Sequence, residues 1–128
     1  MGVSMKRIAP RRPLYRRHWR PFRTGAGRRP AYDFLHTQTL EDYTKIIAAM
    51  TDVADYGLAM AKHLRGEIWE VRADGLNQTF RVLFAPEGHF GQVLLALDAF
   101  SKKKQKTPPR MIDLAETRLA DWRRRGDK

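Results

Sequence analysis

No cysteine occurs in the 128 residues. That excludes a disulfide framework and every thiolate metal site, zinc ribbons and iron–sulfur clusters included, so stability must come from a packed core. An apolar run of about 18 residues, the length a membrane-crossing helix needs, is missing too. Pro10 and Pro13 break the N-terminus, which has neither the apolar centre of a secretion signal nor the continuous amphipathic helix of a transit peptide. A cytoplasmic location is expected. Acidic residues are absent from the first 30 positions, and histidine is confined to positions 18, 36, 63 and 89.

What is present suffices for one domain: a hydrophobic fraction of 42% builds a single modest core at this length. The net charge of +11 is distributed in three zones. Residues 1–30 hold ten basic and no acidic residues, residues 31–100 five basic and ten acidic, and residues 101–128 ten basic and four acidic. Basic ends around an acidic middle suit a polyanionic partner, because each Lys or Arg set at a phosphate releases condensed counterions. Nucleic acid is the partner class this favours. Residues 1–13 are expected to form a basic, flexible tail and residues 14–125 the folded domain.

Along the chain, Leu14–Arg23 predicts an edge strand, since Pro21 removes a ladder donor. Thr24–Arg29 predicts a turn, and Pro30 suits the first position of a short helix that carries Phe34 and Leu35 inward. Thr39 caps a second helix in which Leu40, Tyr43, Ile47, Met50 and Ala54 recur at helical spacing, with Gly57 at its end. Three antiparallel strands are predicted over residues 68–73, 79–85 and 90–100, separated by DGLNQ and PEGH. Alternation sets Trp69 and Val71 opposite Glu70 and Arg72, and Phe80, Val82 and Phe84 opposite Arg81 and Leu83. A final helix follows Pro108-Pro109, with Met111 or Ile112, Ala115, Leu119 and Trp122 on one stripe. The predicted class is α+β: an N-terminal strand and helical hairpin on a small antiparallel sheet, closed by a C-terminal helix.

Residues 64–115 resemble the HigB-like, phage-derived branch of the RelE/ParE toxin superfamily. Leu64, Gly66 and Trp69–Arg72 match its first strand, Phe80–Phe84 (F-R-V-L-F) its second, and Phe100–Pro108 (F-S-K-K-K-Q-K-T-P) the segment leaving its third; GRRPAYDFL fits the pattern ahead of its helical hairpin. The resemblance implies a RelE-like fold and the toxin of a type II toxin–antitoxin pair, an endoribonuclease that cuts mRNA on the ribosome. It implies a helix-turn-helix, HigA-like antitoxin as partner, with mRNA and ribosomal RNA as the nucleic acids bound. Neither cofactor, metal nor membrane is called for, because the RNA 2′-OH can attack the adjacent phosphate when the protein supplies positioning, charge and proton transfer.

Catalytic candidates are Arg81, Arg72, Lys102 and Lys103. Arg81 offers a permanently charged, planar donor fork to the scissile phosphate; its structural alternative is an internal ion pair with Glu70 or Asp98. Arg72 grips the same or a neighbouring phosphate, or else forms a cross-strand pair. Lys104, Lys106, Arg110 and Arg23 are candidates for RNA or ribosome binding, against a solvated charge run as the alternative. Proton transfer has no clear owner: relatives carry a C-terminal Tyr or His, whereas this chain has Asp98 and a terminal helix with neither, so a lysine among basic neighbours takes that role. The competing functions are a noncatalytic, ParE-like gyrase poison and a plain RNA- or ribosome-binding module.

Overall fold

The computed structural model describes residues 16–102 and 106–126. The tail expected at 1–13, Lys103 and Lys104 lie outside these. The described chain is α+β. Strand β1 (His18–Pro21) precedes helices α1 (Pro30–His36) and α2 (Leu40–Tyr56); β2 (Lys62–Arg65), β3 (Ile68–Asp74), β4 (Thr79–Glu87) and β5 (Val93–Lys102) follow, and α3 (Pro109–Arg125) closes the order. The five strands form one sheet, β1-β5-β4-β3-β2, antiparallel except where β1 lies parallel to β5 at the edge. None of the helices among the described residues is long and apolar enough to cross a membrane.

Helix α2 forms for local reasons. Thr39 Oγ1 accepts from the Asp42 amide at 3.2 Å, Glu41 and Asp42 complement the positive helix start, and Gly57 ends the helix at φ +93°. Its buried stripe is Ile46, Met50, Val53 and Ala54, with Tyr43 and Ile47 partly buried. Leu40, predicted inward, is instead 80% exposed because it stands in the first turn, ahead of the sheet. Helices α1 and α2 cover one sheet face, packing on Val71, Ala73, Phe80, Val82 and Phe84. Trp19 joins this layer, edge-on to Phe84 with centroids 5.0 Å apart and its indole N–H donating to the Met50 carbonyl at 2.7 Å.

Helix α3 covers the other face through Ala115, Leu119 and Trp122, against Phe22, Ile68, Leu83, Ala85, Leu95 and Leu97. Two exposed arginine clamps hold it to the strands. Arg65 reaches Asp113 at 2.5 Å and Glu116 at 2.7 Å, and Arg123 reaches Glu67 at 2.7 Å and Glu87 at 2.6 Å. Hydrogen bonds to these carboxylates hold both guanidiniums above their ordinary pKa.

Two features depart from the predicted strands. Strand β2 is an additional edge: its four residues KHLR carry no apolar alternation, and pairing with β3 alone holds them extended. The strand predicted from Phe90 begins at Val93, because Phe90 lies in a short 3-10 turn at φ +57° between Gly88 and Gly91 and is 69% exposed. It also continues past Phe100 to Lys102, while β4 runs through Pro86 to Glu87.

A bulge then sets which way the end of β5 faces. Leu83 pairs with Asp98 but Phe84 with Ala96, so β5 carries one extra residue there. Before the bulge Leu95 and Leu97 face α3, and after it Ala99 joins the hairpin layer while Phe100 packs on the α3 side. Alternation from Phe100 puts Lys102 on the α3 side as well.

Candidate active site

Cross-strand register arranges the α3-side face into rows. Glu70, Leu83 and Asp98 form the first, Arg72, Arg81 and Phe100 the second, and Asp74, Thr79 and Lys102 the third. Helix α3 starts at Pro109 and packs over the apolar half of this face, which leaves the end bearing Arg72 and Lys102 only partly covered.

Arg72 and Arg81 share a face, as alternation predicts, yet their surroundings differ. Arg81 is 1% exposed, which corrects its expected place on the sheet surface. Thr107, just ahead of α3, lies against it. Arg81 Nη1 donates to Thr107 Oγ1 at 2.7 Å and stands 3.6 Å from Glu70 Oε1; the Thr107 hydroxyl in turn donates to that same Glu70 oxygen. Glu70, also 1% exposed, accepts from Arg72 Nε at 2.6 Å through its other oxygen. Burial pushes the Arg81 guanidinium below its ordinary pKa and like-charged Arg72 adds to this, while the Glu70 carboxylate opposes both. The outcome is the internal ion pair with Glu70. The Arg81 guanidinium is thus engaged inside the protein, with Thr107 and Glu70, rather than presented at the surface.

Arg72 is the arginine that opens to solvent, its side chain 30% exposed with one edge fixed by Glu70. Lys102 is half-buried in the next row, and Lys106 and Arg110 are exposed on either side of Thr107 and the start of α3. Among the described residues Lys102, Lys106 and Arg110 have no carboxylate partner, and the first turn of α3 contains no acid. Arg72, Lys102, Lys106 and Arg110 therefore stand toward the uncovered end of this face against one exposed carboxylate, Asp74, and the positive helix start adds to the net positive charge there.

Arg23 is not part of this group. It follows β1, three strand spacings from β3 or roughly 14 Å, where its carbonyl accepts from Arg125. The four histidines also lie elsewhere. His63 pairs with Trp69 on the hairpin-facing side, its ring 5.0 Å from the indole, and Nε2 meets the Gly66 carbonyl at 2.7 Å. His36 belongs to α1, His89 to the turn before β5, and His18 pairs with Val93 at the far end of β5 from Lys102. Asp98 lies beneath α3, 3.4 Å from Arg118 and bonded to the Ala99 amide at 2.9 Å. Burial raises its pKa more than these two groups lower it.

Thr107 is legible in the sequence only as part of a motif. Glu70 is legible as a partner for Arg81, but the hydroxyl that completes the network arrives 26 residues later in the chain, with no local signal.

Residues 33–120 match the family described as phage-derived protein Gp49-like. Two curated relatives, both named "Probable endoribonuclease HigB1" and both from Mycobacterium tuberculosis (strains CDC 1551 / Oshkosh and ATCC 25618 / H37Rv), are 36% identical to this chain over 110 residues. The alignment spans 83% of this chain and 85% of each relative. The family match runs from within α1 to within α3 and takes in α2 and strands β2 to β5, and the chain belongs to the phage-derived Gp49-like, HigB-like family of the RelE/ParE superfamily.

Proposed function

We propose that this protein is the toxin of a type II toxin–antitoxin pair and an endoribonuclease that cuts mRNA on the ribosome. The observation that carries the reading is the partly uncovered end of the α3-side face, where Arg72, Lys102, Lys106 and Arg110 gather positive charge around a buried Glu70–Thr107–Arg81 support. Family membership and the endoribonuclease name of the relatives support it independently.

In the proposed reaction the RNA 2′-oxygen bonds to phosphorus as the bond from phosphorus to O5′ breaks, leaving a 2′,3′-cyclic phosphate and a 5′-hydroxyl. The proton lost by the 2′-hydroxyl balances the one gained by O5′, so no co-reactant is consumed. Arg72, pre-oriented by Glu70, brings its guanidinium charge to the phosphate, and Lys102 adds charge from the adjacent row. A lysine of the 102–106 segment, Lys103 included, protonates the leaving oxygen. Lys104, Lys106 and Arg110 bind the flanking backbone, and Arg23, set apart near β1, contacts ribosomal RNA. The partner is a helix-turn-helix, HigA-like antitoxin that covers this face or holds the toxin off the ribosome, in the cytoplasm.

The test is to add the purified protein to ribosomes carrying a defined mRNA and map new RNA ends. New 5′-hydroxyl ends inside the translated frame are expected, falling by about a hundredfold in Arg72→Ala, the scale of losing one preorganised charge-stabilising donor. A DNA-damage response on expression, with intact mRNA, would instead establish the gyrase-poison reading and overturn this one.

A further inference from the structure

Strand β1 runs parallel to β5, so the chain leaving it heads toward the end of the sheet that carries Lys102. There Thr24–Arg28 closes into a tight turn. The Thr24 amide donates to the Arg28 carbonyl at 2.8 Å, the Gly27 amide to the Thr24 carbonyl at 2.9 Å, and the Arg28 amide to Thr24 Oγ1 at 3.1 Å. Gly27 takes φ +88°, which only glycine adopts readily. Arg28 is held exposed, and among the described residues it has no carboxylate partner. A groove lies between this turn and the facing flank of α3, made of two open clefts of about 540 and 530 Å³ that meet at Thr24 and Arg118. Arg118 is fixed at the junction by donating to the Leu97 carbonyl at 2.8 Å. The two acids of the lining are engaged: Asp33 accepts from the Arg29 amide at 3.3 Å, and Asp121 pairs with both Arg124 and Arg125.

We propose that this groove takes the phosphodiester backbone of single-stranded RNA. The proposal rests on the reading of the Arg72–Lys102 end as an RNA-cleaving site and extends it along α3. Arg110, Thr117 and Arg124 recur at every seventh position of the helix, so they share one flank, and that flank leads from the uncovered end into the groove. Arg118 stands roughly 12 Å farther along the axis than Arg110. A strand bound at the catalytic end therefore has a continuous path. Arg28 on one bank and Arg124 on the other supply charge for phosphates, and the Thr24 hydroxyl, whose oxygen accepts from the Arg28 amide, keeps its own hydrogen for a phosphate oxygen. Guanidiniums on a rigid turn and a helix fix the register of a backbone and read no sequence. An acidic peptide would meet the same charges; continuity with the RNA end favours RNA.

The experiment titrates the full-length protein, at several salt concentrations, with 2′-O-methyl RNA oligomers of about four and about twelve nucleotides, lengths that single-strand sites span, and with ribosomes free of mRNA. The oligomers lack the attacking hydroxyl, so binding is read without cleavage. In the double variant Arg28→Ala with Arg124→Ala, the slope of log affinity against log salt is expected to fall by about 0.7 for each phosphate no longer neutralised, about 1.4 in all, with the longer oligomer. With the shorter one, which the Arg72–Lys102 end holds by itself, it should match wild type. Loss with the longer oligomer identifies the strand flanking the cut, and loss with ribosomes alone a ribosomal strand; either supports the groove as an RNA site. Wild-type slopes in both arms overturn the proposal, and weakened binding of poly-glutamate in the same variant would then assign the groove to an acidic protein segment. A loss per charge equal to that of Lys45→Ala overturns it too, since RNA would be responding to net charge alone. Both arginines are exposed and the turn is closed by backbone groups and Thr24, so the variant should keep the wild-type melting temperature; Arg28→Ala alone repeats the test if the pair melts early. Should the wild type cut no mRNA on ribosomes, the cleavage reading fails while these slopes still decide the groove.

Discussion

The two faces of the sheet are built on opposite principles. On the hairpin side, Ile46, Met50, Val53 and Ala54 meet Val71, Phe80, Val82 and Phe84 in a layer of apolar packing, and residues 30–56 carry five acids against one lysine. On the α3 side, an apolar half under Ala115, Leu119 and Trp122 adjoins a polar half made of Glu70, Arg81, Thr107 and Asp98, with lysines and arginines beyond it. Apolar packing tolerates many residues of the right volume, whereas a buried ion pair holds only when every partner is present. The first face supplies folding energy; the second gives up some of that energy to fix charged groups in one geometry.

The largest effect expected from this contrast is on stability. Arg81→Ala strips Glu70 of its buried cation and leaves only the half-buried Arg72 to compensate it, and breaking a buried pair costs up to about 3–5 kcal/mol. Denaturant unfolding measures it. An unchanged midpoint, with activity lost, would mean that the guanidinium is not holding the fold and would restore a direct role at the phosphate. A matching loss of stability and activity makes Arg81 a support. Replacing Arg81 and Glu70 together by apolar residues of similar volume is expected to recover part of the loss, as buried pairs often do.

The same contrast separates what the sequence made legible from what it did not. Helix α2 announces itself through signals a few residues apart: the Thr39 cap, acids in the first turn and Gly57 at the end. Its stripe is shifted, with Ile46 and Val53 buried and Leu40 exposed, because periodicity alone does not say where along the helix the sheet begins. The alternation of β3 and β4 could be read directly, and so the shared face of Arg72 and Arg81 could too. Strand β2 could not, since four polar residues become a strand only when β3 offers a ladder. Nor could the bulge opposite Leu83 and Phe84, which exists only between two strands and turns Lys102 toward α3. For the candidate site, residue types were legible and depth was not: Arg81 looks like a surface arginine until Thr107 closes over it.

An intermediate effect concerns RNA binding and sharpens the contrast in charge. Removing Lys102 and Lys106 together by alanine substitution is expected to reduce the slope of log affinity against log salt by about 0.7–0.9 for each phosphate the protein no longer neutralises. Lys45→Ala removes one positive charge from the exposed side of α2 and should leave that slope unchanged. Titrations of a short RNA at several salt concentrations decide between the two faces. Equal changes per charge removed would mean that RNA responds to net charge alone, with no preferred face.

The smallest effect is a pH dependence confined to the polar half of the α3 side. Burial beneath α3 raises the Asp98 pKa, and the nearby Arg118 guanidinium and Ala99 amide do not fully offset it. In the unfolded chain the same carboxyl titrates near its ordinary value of 3.8. Between that value and the raised one the folded state binds more protons than the unfolded state, so this group's contribution to stability falls as pH rises through the interval. The contribution is complete below the unfolded pKa and gone above the folded one. Asp98→Asn keeps the side-chain shape and cannot ionise, so it lacks this slope. Relative to wild type, the asparagine variant should gain in melting temperature as the pH is raised from about 4 to about 7. Parallel melting curves across that range would show that Arg118 compensates the burial in full, making Asp98 an ordinary ion-pair partner and leaving the Glu70 network as the costly polar element of this face.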